Sequence, residues 1–447
     1  MKDSNVAFDL SSLKYECMGD IPGFSNFKEN GQHEVVSFIK NFLGLDSVRV
    51  QHTKLTNLRK WLGVSELKTV NSNAKRPNEI CLIARLEEKG KIIALYPMVL
   101  SGYWVSDLSK SLGLLKRIAD AITEQISICY LRDFKGGEWM FGSTFAQNFV
   151  SGCVSTKAFK KKKFTNLIEK MEHLSVATFE GSSFTTGVIV TRDKRRFGNK
   201  ILLNVQQHLD DITKREWFLV DGNESFFLMD SNEFTNSVCV TVEDKTDNFV
   251  EDYFKHYYLK EIVQEPDFIV RTVAPNEITV SDSYGREFVK LENVWRFRNK
   301  IFFVRFLKDK LGIGEDLCDC IIYYSLKCSR KRISSIIWIP NDNSKIDDIT
   351  SDLRTNVYKK SLSIKERKHE SLMDKILASD GTIVVGKNGD IIYDSVFYKG
   401  DLKSETGELL TGTGVSAAKA LATNGVAIKI SQDGSIKVFG GEDKLIY

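Results

Sequence analysis

The feature that most narrows what this chain can become lies near its C-terminal end. Ser379-Asp380-Gly381-Thr382 leads into the apolar run Ile383-Val384-Val385, then comes Lys387-Asn388-Gly389-Asp390, and Ile391-Ile392-Tyr393 turns apolar again. Two β-branched runs joined through Asn-Gly predict a β-hairpin, because Asn-Gly adopts the positive φ angles of a turn that matches strand twist. A lone hairpin is marginal in water. It needs more strands and covering helices, and the flanking sequence supplies them.

Residues 302–311 and 316–327 have helical spacing, and 332–339 read as a buried strand stopped at Pro340. Residues 347–362 read as polar and helical at their start. A short helix is expected over 368–378 with Leu372, Ile376 and Leu377 inward. Residues 410–422 carry a Gly-rich run into an Ala-rich helix. Strands are expected at 426–430 and 435–439, joined by a turn at Gln432-Asp433-Gly434. The expectation is an α/β (α+β) fold whose C-terminal part, residues 301–447, is a twisted mixed sheet flanked by helices.

Upstream, 447 residues leave room for two to four domains in all. Residues 1–165 read as an α/β region, with helices over 33–43 and 106–128 and strands over 79–86 and 91–99, turned at Lys89-Gly90. Residues 166–300 read as β-rich: strands at 174–180, 185–191, 201–205, 218–220 and 237–242, and a helix over 248–263. Glu180-Gly181-Ser182-Ser183-Phe184 reads as a plain hairpin loop in preference to a ligand contact. Lys160 to Lys163, flanked by Phe159 and Phe164, could form a nucleic-acid patch. A solvated linker or helix start is favoured over it.

Composition excludes several classes. Hydrophobic residues at 42% and only 6 prolines exclude a disordered or Pro-rich chain. A net charge of +4 demands no nucleic acid. The 8 cysteines form no CxxC pair, and the 6 histidines no HxH or HExxH, so a zinc enzyme is not expected. Cys318 and Cys320, two apart on an expected helix, would diverge. Scattered thiols, a polar start and no apolar stretch of membrane length lead us to expect a cytoplasmic protein with no membrane partner.

Chemistry concentrates in two places. In Gly412-Thr413-Gly414-Val415-Ser416-Ala417-Ala418, glycines admit close backbone approach, and hydroxyls with free amides at a helix start can cradle phosphate. The same pattern alone is ordinary helix capping. Asp380-Gly381 is common turn chemistry, yet a carboxylate at a strand edge can also hold Mg²⁺ or Mn²⁺ beside a triphosphate.

Taken in order, these pieces resemble the diadenylate cyclase domain, as in the DNA-integrity scanning protein. The resemblance covers residues 310–445, about a third of the chain. The strand Lys331-Arg332-Ile333-Ser334-Ser335-Ile336-Ile337-Trp338-Ile339 is similar to the family's opening strand. Residues 372–385 are similar to its helix, Asp-Gly-Ala and strand. Gly412 to Ala418 falls where the family has Gly-Thr-Arg-His-Arg-Ala-Ala. Ile430-Ser431-Gln432-Asp433-Gly434-Ser435-Ile436 resembles its Ser-Glu-x-x-Gly turn.

The resemblance implies condensation of two ATP or other NTP molecules into a cyclic dinucleotide, with loss of pyrophosphate, by a face-to-face homo-oligomer. Residues 1–300 would be a bacterial sensor region. It implies Asp380 as catalytic residue and metal ligand for Mg²⁺ or Mn²⁺, and nucleotide contacts at Gly381, Thr382, Gly412, Thr413, Gly414, Ser416, Lys419 and Ser431. The family's Arg-His-Arg is here Gly414-Val415-Ser416, and its Ser-Glu is Ser431-Gln432. Charged hydrogen bonds to phosphate contribute roughly 1.5–3 kcal/mol each. The loss leaves two readings: an active cyclase with other cations, Lys419 and Lys429 being candidates, or a degenerate domain that binds nucleotide or dimerises without turnover.

Overall fold

The computed structural model describes residues 40, 42–45, 47–50, 79–88, 91–102, 147, 150–152, 154, 159–230, 234–240, 248–258, 263–264, 266–282, 286–291, 294–351, 361–400 and 413–447. The chain divides into two compact units, Met1–Thr165 with Val294–Arg296, and Asn166–Asn293 with Phe297–Tyr447.

In the first unit, β1 (Ser47–Val50), β2 (Glu79–Glu88) and β3 (Lys91–Ser101) form an antiparallel sheet in the order β1-β3-β2. The expected strand pair is present. The turn at Lys89-Gly90, the helix over 106–128 and most of that over 33–43 lie outside the described residues. Lys161–Ser175 is helix α1, so Lys161 to Lys163 open a helix.

The second unit holds two large sheets. The first begins after a small hairpin of β4 (Thr178–Phe179) and β5 (Ser182–Ser183), with Glu180 and Gly181 both at positive φ in its turn. The large sheet contains β6 (Thr186–Val190), β7 (Ile201–His208), β8 (Ser225–Met229), β9 (Phe234–Val240), β10 (Phe268–Ala274), β11 (Glu277–Asp282) and β12 (Glu287–Leu291). Their order is β12-β11-β10-β6-β8-β9-β7. The strand β13 (Val294–Arg298) then leads towards the C-terminal helices.

Two expected strands in this region are partly helical: of 174–180 only Thr178–Phe179 is strand, and 218–220 form none. Residues 218–220 end a short helix, α2 (Lys214–Phe218). Thr213 and Glu216 form a reciprocal capping box there, and that local hydrogen bonding outweighs the strand propensity of Trp217 and Phe218. Residues 174–175 continue α1, whose buried Phe164, Leu167, Ile168, Met171 and Leu174 keep helical spacing to its end. The helix expected after residue 248 is α3 (Phe249–Tyr258).

The C-terminal sheet has the order β16-β15-β14-β17-β18-β19. Its strands are β14 (Ser335–Pro340), β15 (Thr382–Val385), β16 (Ile391–Val396), β17 (Gly425–Ile430), β18 (Ile436–Gly440) and β19 (Asp443–Ile446). The pair β14–β15 is parallel and the rest antiparallel, so the sheet is mixed. The fold is thus α/β with a C-terminal mixed sheet. The Asn388-Gly389 hairpin is present, with Gly389 at φ 96°.

Helices cover both faces of this sheet. α4 (Lys300–Leu311) and α5 (Glu315–Arg330) precede it, and the single turn α6 (Ile346–Ile349) and α7 (Glu370–Leu377) lie in the crossover from β14 to β15. α8 (Thr413–Leu421) packs on the opposite face from α5 and α7. There Ala418, Leu421 and Ala422 meet Ile336, Trp338, Val384, Ala427 and Phe439. On the other face, Ile337, Ile383 and Val385 meet Ile321 and Tyr324 of α5 and Met373 and Leu377 of α7. Small alanines let the α8 backbone approach closely, and the alternation along β14 sends even-numbered residues to α8 and odd-numbered ones to α5 and α7.

Met373, Ile376 and Leu377 are the inward residues of α7, whereas Leu372 is 45% exposed. At 3.6 residues per turn Leu372 sits roughly 90° from the centre of that stripe. Cys318, Cys320 and Cys328 are buried and free. Among the described residues no helix is long and apolar enough to cross a membrane.

Trp338 is fully buried at the centre of the α8 face, and its indole N–H donates to the Asn424 carbonyl. Trp338→Ala should cost about 3–5 kcal/mol. A guanidinium melt of the full chain should show the C-terminal unit unfolding earlier; an unchanged midpoint would contradict this packing.

Candidate functional site

The register of the C-terminal sheet decides what meets what. Ile336 on β14 stands beside Thr382 on β15 and Lys429 on β17, and Lys429 stands beside Lys437 on β18. Thr382, Ile336, Lys429 and Lys437 therefore form one row on the α8 face. With strands about 4.8 Å apart, the Thr382 and Lys429 backbones are roughly 10 Å apart. Ser334 precedes the row on β14, Ser431 follows it on β17, and Asp380-Gly381 precedes it on β15. All sit at the same end of the sheet.

Gly381 has φ 100°, and a Cβ there would lie 2.8 Å from the Ser395 carbonyl carbon. Only glycine allows this approach. The register of β16 against β15 shifts between Thr382 and Val384, and Ser395 itself has φ 52°. A bulge thus faces Asp380-Gly381. Bulges re-aim side chains and are common beside active sites. Asp380 is exposed, and one carboxylate oxygen accepts from the Gly381 amide at 2.9 Å.

α8 begins over the same end. A Cβ on Gly414 would lie 2.8 Å from Cε and 3.1 Å from Nζ of Lys429, so the first turn of α8 rests on that side chain. Lys429 is only 8% exposed, and its ammonium donates to the Ser334 hydroxyl at 2.6 Å. Burial holds its pKa below the ordinary lysine value. Nearby Lys437 adds to that, and Asp433 opposes it.

Ser416 is half-buried in α8, and the Ser431 amide donates to the Ser435 carbonyl. Lys419 is exposed in the last turn of α8, about 7.5 Å along the axis from Gly414. The structure does not bring it into the row. Gly412 lies outside the described residues, and Thr413 is the first residue of α8. Lys437 escaped the sequence reading. Its only signal was its place opposite Lys429 across a recognisable two-strand turn.

Among the described residues no group of three or more His, Cys, Asp or Glu side chains converges to hold a metal ion. Mg²⁺ commonly takes one or two carboxylates, several waters and substrate phosphates. The exposed Asp380 carboxylate fits a cation that arrives on a polyphosphate, and not an all-protein cage.

Asp380 hangs from α7, and α7 is tied to α5. Lys327 contacts Glu370 at 2.7 Å and Asp374 at 2.9 Å, Lys331 contacts Asp374 at 2.9 Å, and the Tyr323 hydroxyl donates to Glu370 at 2.5 Å. Burial by itself would raise both carboxyls. The hydrogen bonds from Lys327, Tyr323 and Lys331 prevail and hold them below their ordinary values. Tyr323 also meets Phe249 and Tyr253 of α3 edge to face, at 5.3 and 4.9 Å.

The loop Glu180 to Phe184 is elsewhere in this unit. Ser183 and Phe184 line an open cleft of about 510 Å³ with Phe218, Pro275, Arg330 and Lys331.

The α5–α7 ties should be complete above the ordinary carboxylate range, near pH 4, and be lost as pH falls through the lowered folded-state values. Amide exchange across residues 370–380 should quicken on acidification below that range. Asp374→Asn should produce the same quickening at neutral pH; unchanged protection in both would refute the coupling.

No family model matches the sequence, and no curated protein matches it. Among solved structures it is similar to the crystal structure of a double mutant of DacA from Staphylococcus aureus, with 14% sequence identity over 30% of this chain and 86% of that one, and a TM-score of 0.23.

Proposed function

We propose that the C-terminal unit is a nucleotide site of the diadenylate cyclase type. It would join two nucleoside triphosphates, ATP foremost, into a cyclic dinucleotide. The observation that carries the reading is the row Thr382–Ile336–Lys429 with Gly414 against Lys429. It puts a carboxylate, a glycine bend, a hydroxyl and an ammonium at one end of one sheet.

In this reading the Asp380 carboxylate faces the 3′-hydroxyl of one nucleotide and accepts its proton. The freed oxygen attacks the α-phosphorus of the second nucleotide, the bond to the β-phosphate oxygen breaks, and pyrophosphate leaves; the reciprocal attack by the second nucleotide's 3′-hydroxyl on the first α-phosphorus closes the ring and releases a second pyrophosphate. A divalent cation, when bound, would neutralise phosphate charge. Thr382 and Ser431 border the nucleotide, and Lys429 offsets charge on its phosphates. The second nucleotide comes from another copy of the chain, so the active species is a homo-oligomer formed through this unit. Residues 1–300 would regulate it, in a cytoplasmic protein.

A second reading is favoured by Gly414-Val415-Ser416, which puts no charged side chain in the first turn of α8. The domain would then bind nucleotide as a sensor or dimeriser without turnover.

Incubating the full chain with each NTP and Mg²⁺ or Mn²⁺, read by mass spectrometry, tests both. A cyclic dinucleotide and pyrophosphate are expected. Asp380→Asn should lower the rate by about 10²-fold or more with unchanged circular dichroism. Calorimetric binding without consumption would select the sensor reading, and no consumption or binding in any combination would sink both.

A further inference from the structure

The open cleft of about 510 Å³ lies away from the row that ends at Lys429, and its two walls differ in character. Small-molecule sites are commonly clefts of roughly 300–1,000 Å³ with apolar walls and a few polar groups.

The first wall is aromatic. Phe218 stands at the end of α2, and Phe184 follows the β4–β5 hairpin. They meet edge to face at 5.8 Å, and Phe179 of β4 stacks on Phe218 at 4.6 Å. Phe218 is nevertheless 44% exposed. Two rings hold it in place while nearly half its surface stays open. A fixed, exposed ring on a cleft wall is a contact surface for another ring, because aromatic pairs gain from edge-to-face or offset packing beyond the area they bury.

The second wall is cationic. α5 ends there with Arg330, and Lys331 and Arg332 follow. Arg330 is turned to the Tyr253 hydroxyl at 2.5 Å. The Lys331 side chain is 49% exposed, and among the described residues its ammonium has one partner, Asp374. That leaves two of its three donors for a ligand. Arg332 donates to the Pro275 carbonyl of the cleft at 3.0 Å and to the Asp433 carbonyl at 2.8 Å, and among the described residues it pairs with no carboxylate. Cations in the last turn of a helix answer its dipole, which accounts for Arg330. It does not account for Arg332, which lies beyond the helix at φ 56° and reaches back to the edge of the cleft. Asp221 also lines the cleft, but its carboxylate is engaged by its own loop: Oδ1 accepts from the amides of Asn223, Glu224 and Ser225.

We propose that this cleft binds a small aromatic anion, a flat ring carrying a carboxylate or a phosphate. The ring lies against Phe218 and Phe184, and the anionic head meets Lys331 in the field of Arg332. The ring supplies the apolar contact, and the anion sets the orientation. The site stands or falls independently of the nucleotide reading.

Titration calorimetry of the full chain with 2-naphthoate and with 2-naphthyl phosphate tests it. Acetate, an anion without a ring, and 2-naphthol, a ring without the anion, are the controls. An aromatic anion should bind, the tighter of the two naming the head group, and each control should bind about tenfold more weakly or worse. Phe218→Ala and Lys331→Met should each weaken binding by about tenfold or more. Lys345→Met, which removes an exposed charge elsewhere, and Asp380→Asn should bind as wild type does. Circular dichroism checks folding; if Phe218→Ala does not fold, Phe184→Leu takes its place. No saturable binding of either aromatic anion up to roughly 1 mM overturns the proposal. So does equal binding by wild type and the folded Phe218 and Lys331 variants, equal binding of either control, or binding lost in Asp380→Asn alone. The cyclase reading fails separately: it depends on NTP consumption, which none of these titrations measures.

Discussion

The parallel pairing of β14 with β15 is the constraint on which the C-terminal unit depends. Parallel neighbours cannot be joined by a tight turn, so the chain must cross over one face of the sheet. Here the crossover carries α7, and its last residues deliver Asp380-Gly381 to the end of the sheet where β14 begins. β17 then pairs antiparallel with β14 and arrives at that end with Lys429 and Ser431. Had β15 been antiparallel to β14, Asp380 would lie at the opposite end, roughly 15–20 Å away along the strands.

Around that constraint the two faces have different tasks. The face towards α5 and α7 is apolar and is closed by side chains from both helices. The α8 face is apolar only in its middle, where Trp338 and the alanines of α8 pack. At its end stand Thr382, Lys429 and Lys437. A helix of small residues can lie close enough for its first turn to touch a strand side chain, and the contact between Gly414 and Lys429 is the result. The ties from Lys327 and Lys331 to Glu370 and Asp374 link this geometry to α5, and α5 meets α3 through Tyr323. Contacts thus run unbroken from α3 through α5 to α7, the helix that precedes Asp380.

Local signals were legible wherever local chemistry was decisive. Asn388-Gly389 between apolar runs, Pro340 after a buried strand and the Ala-rich stretch after Gly414 each predicted the element that is present. The misreadings came where a neighbour decided. Phe218-Leu219-Val220 has strand composition, but the capping box of Thr213 and Glu216 just upstream starts a helix. Leu372 has the right spacing for an inward residue, but the helix is rotated towards Met373. β19 has no strong signal because Asp443-Lys444-Leu445-Ile446 is half polar, and it is a strand because β18 offers it a ladder.

The amino-acid sequence by itself determined the order of elements in the C-terminal third, the glycine bend at Asp380 and the loss of charged side chains at the start of α8. These follow from turn chemistry, hydrophobic period and residue identity, which act over a few positions. Only the tertiary structure decided that Lys429, not Lys419, stands at that helix start, and that Lys437 stands beside it. Side chains 15 residues apart become neighbours through strand register and the packing of a helix on a sheet, and neither is written in any short stretch of the chain.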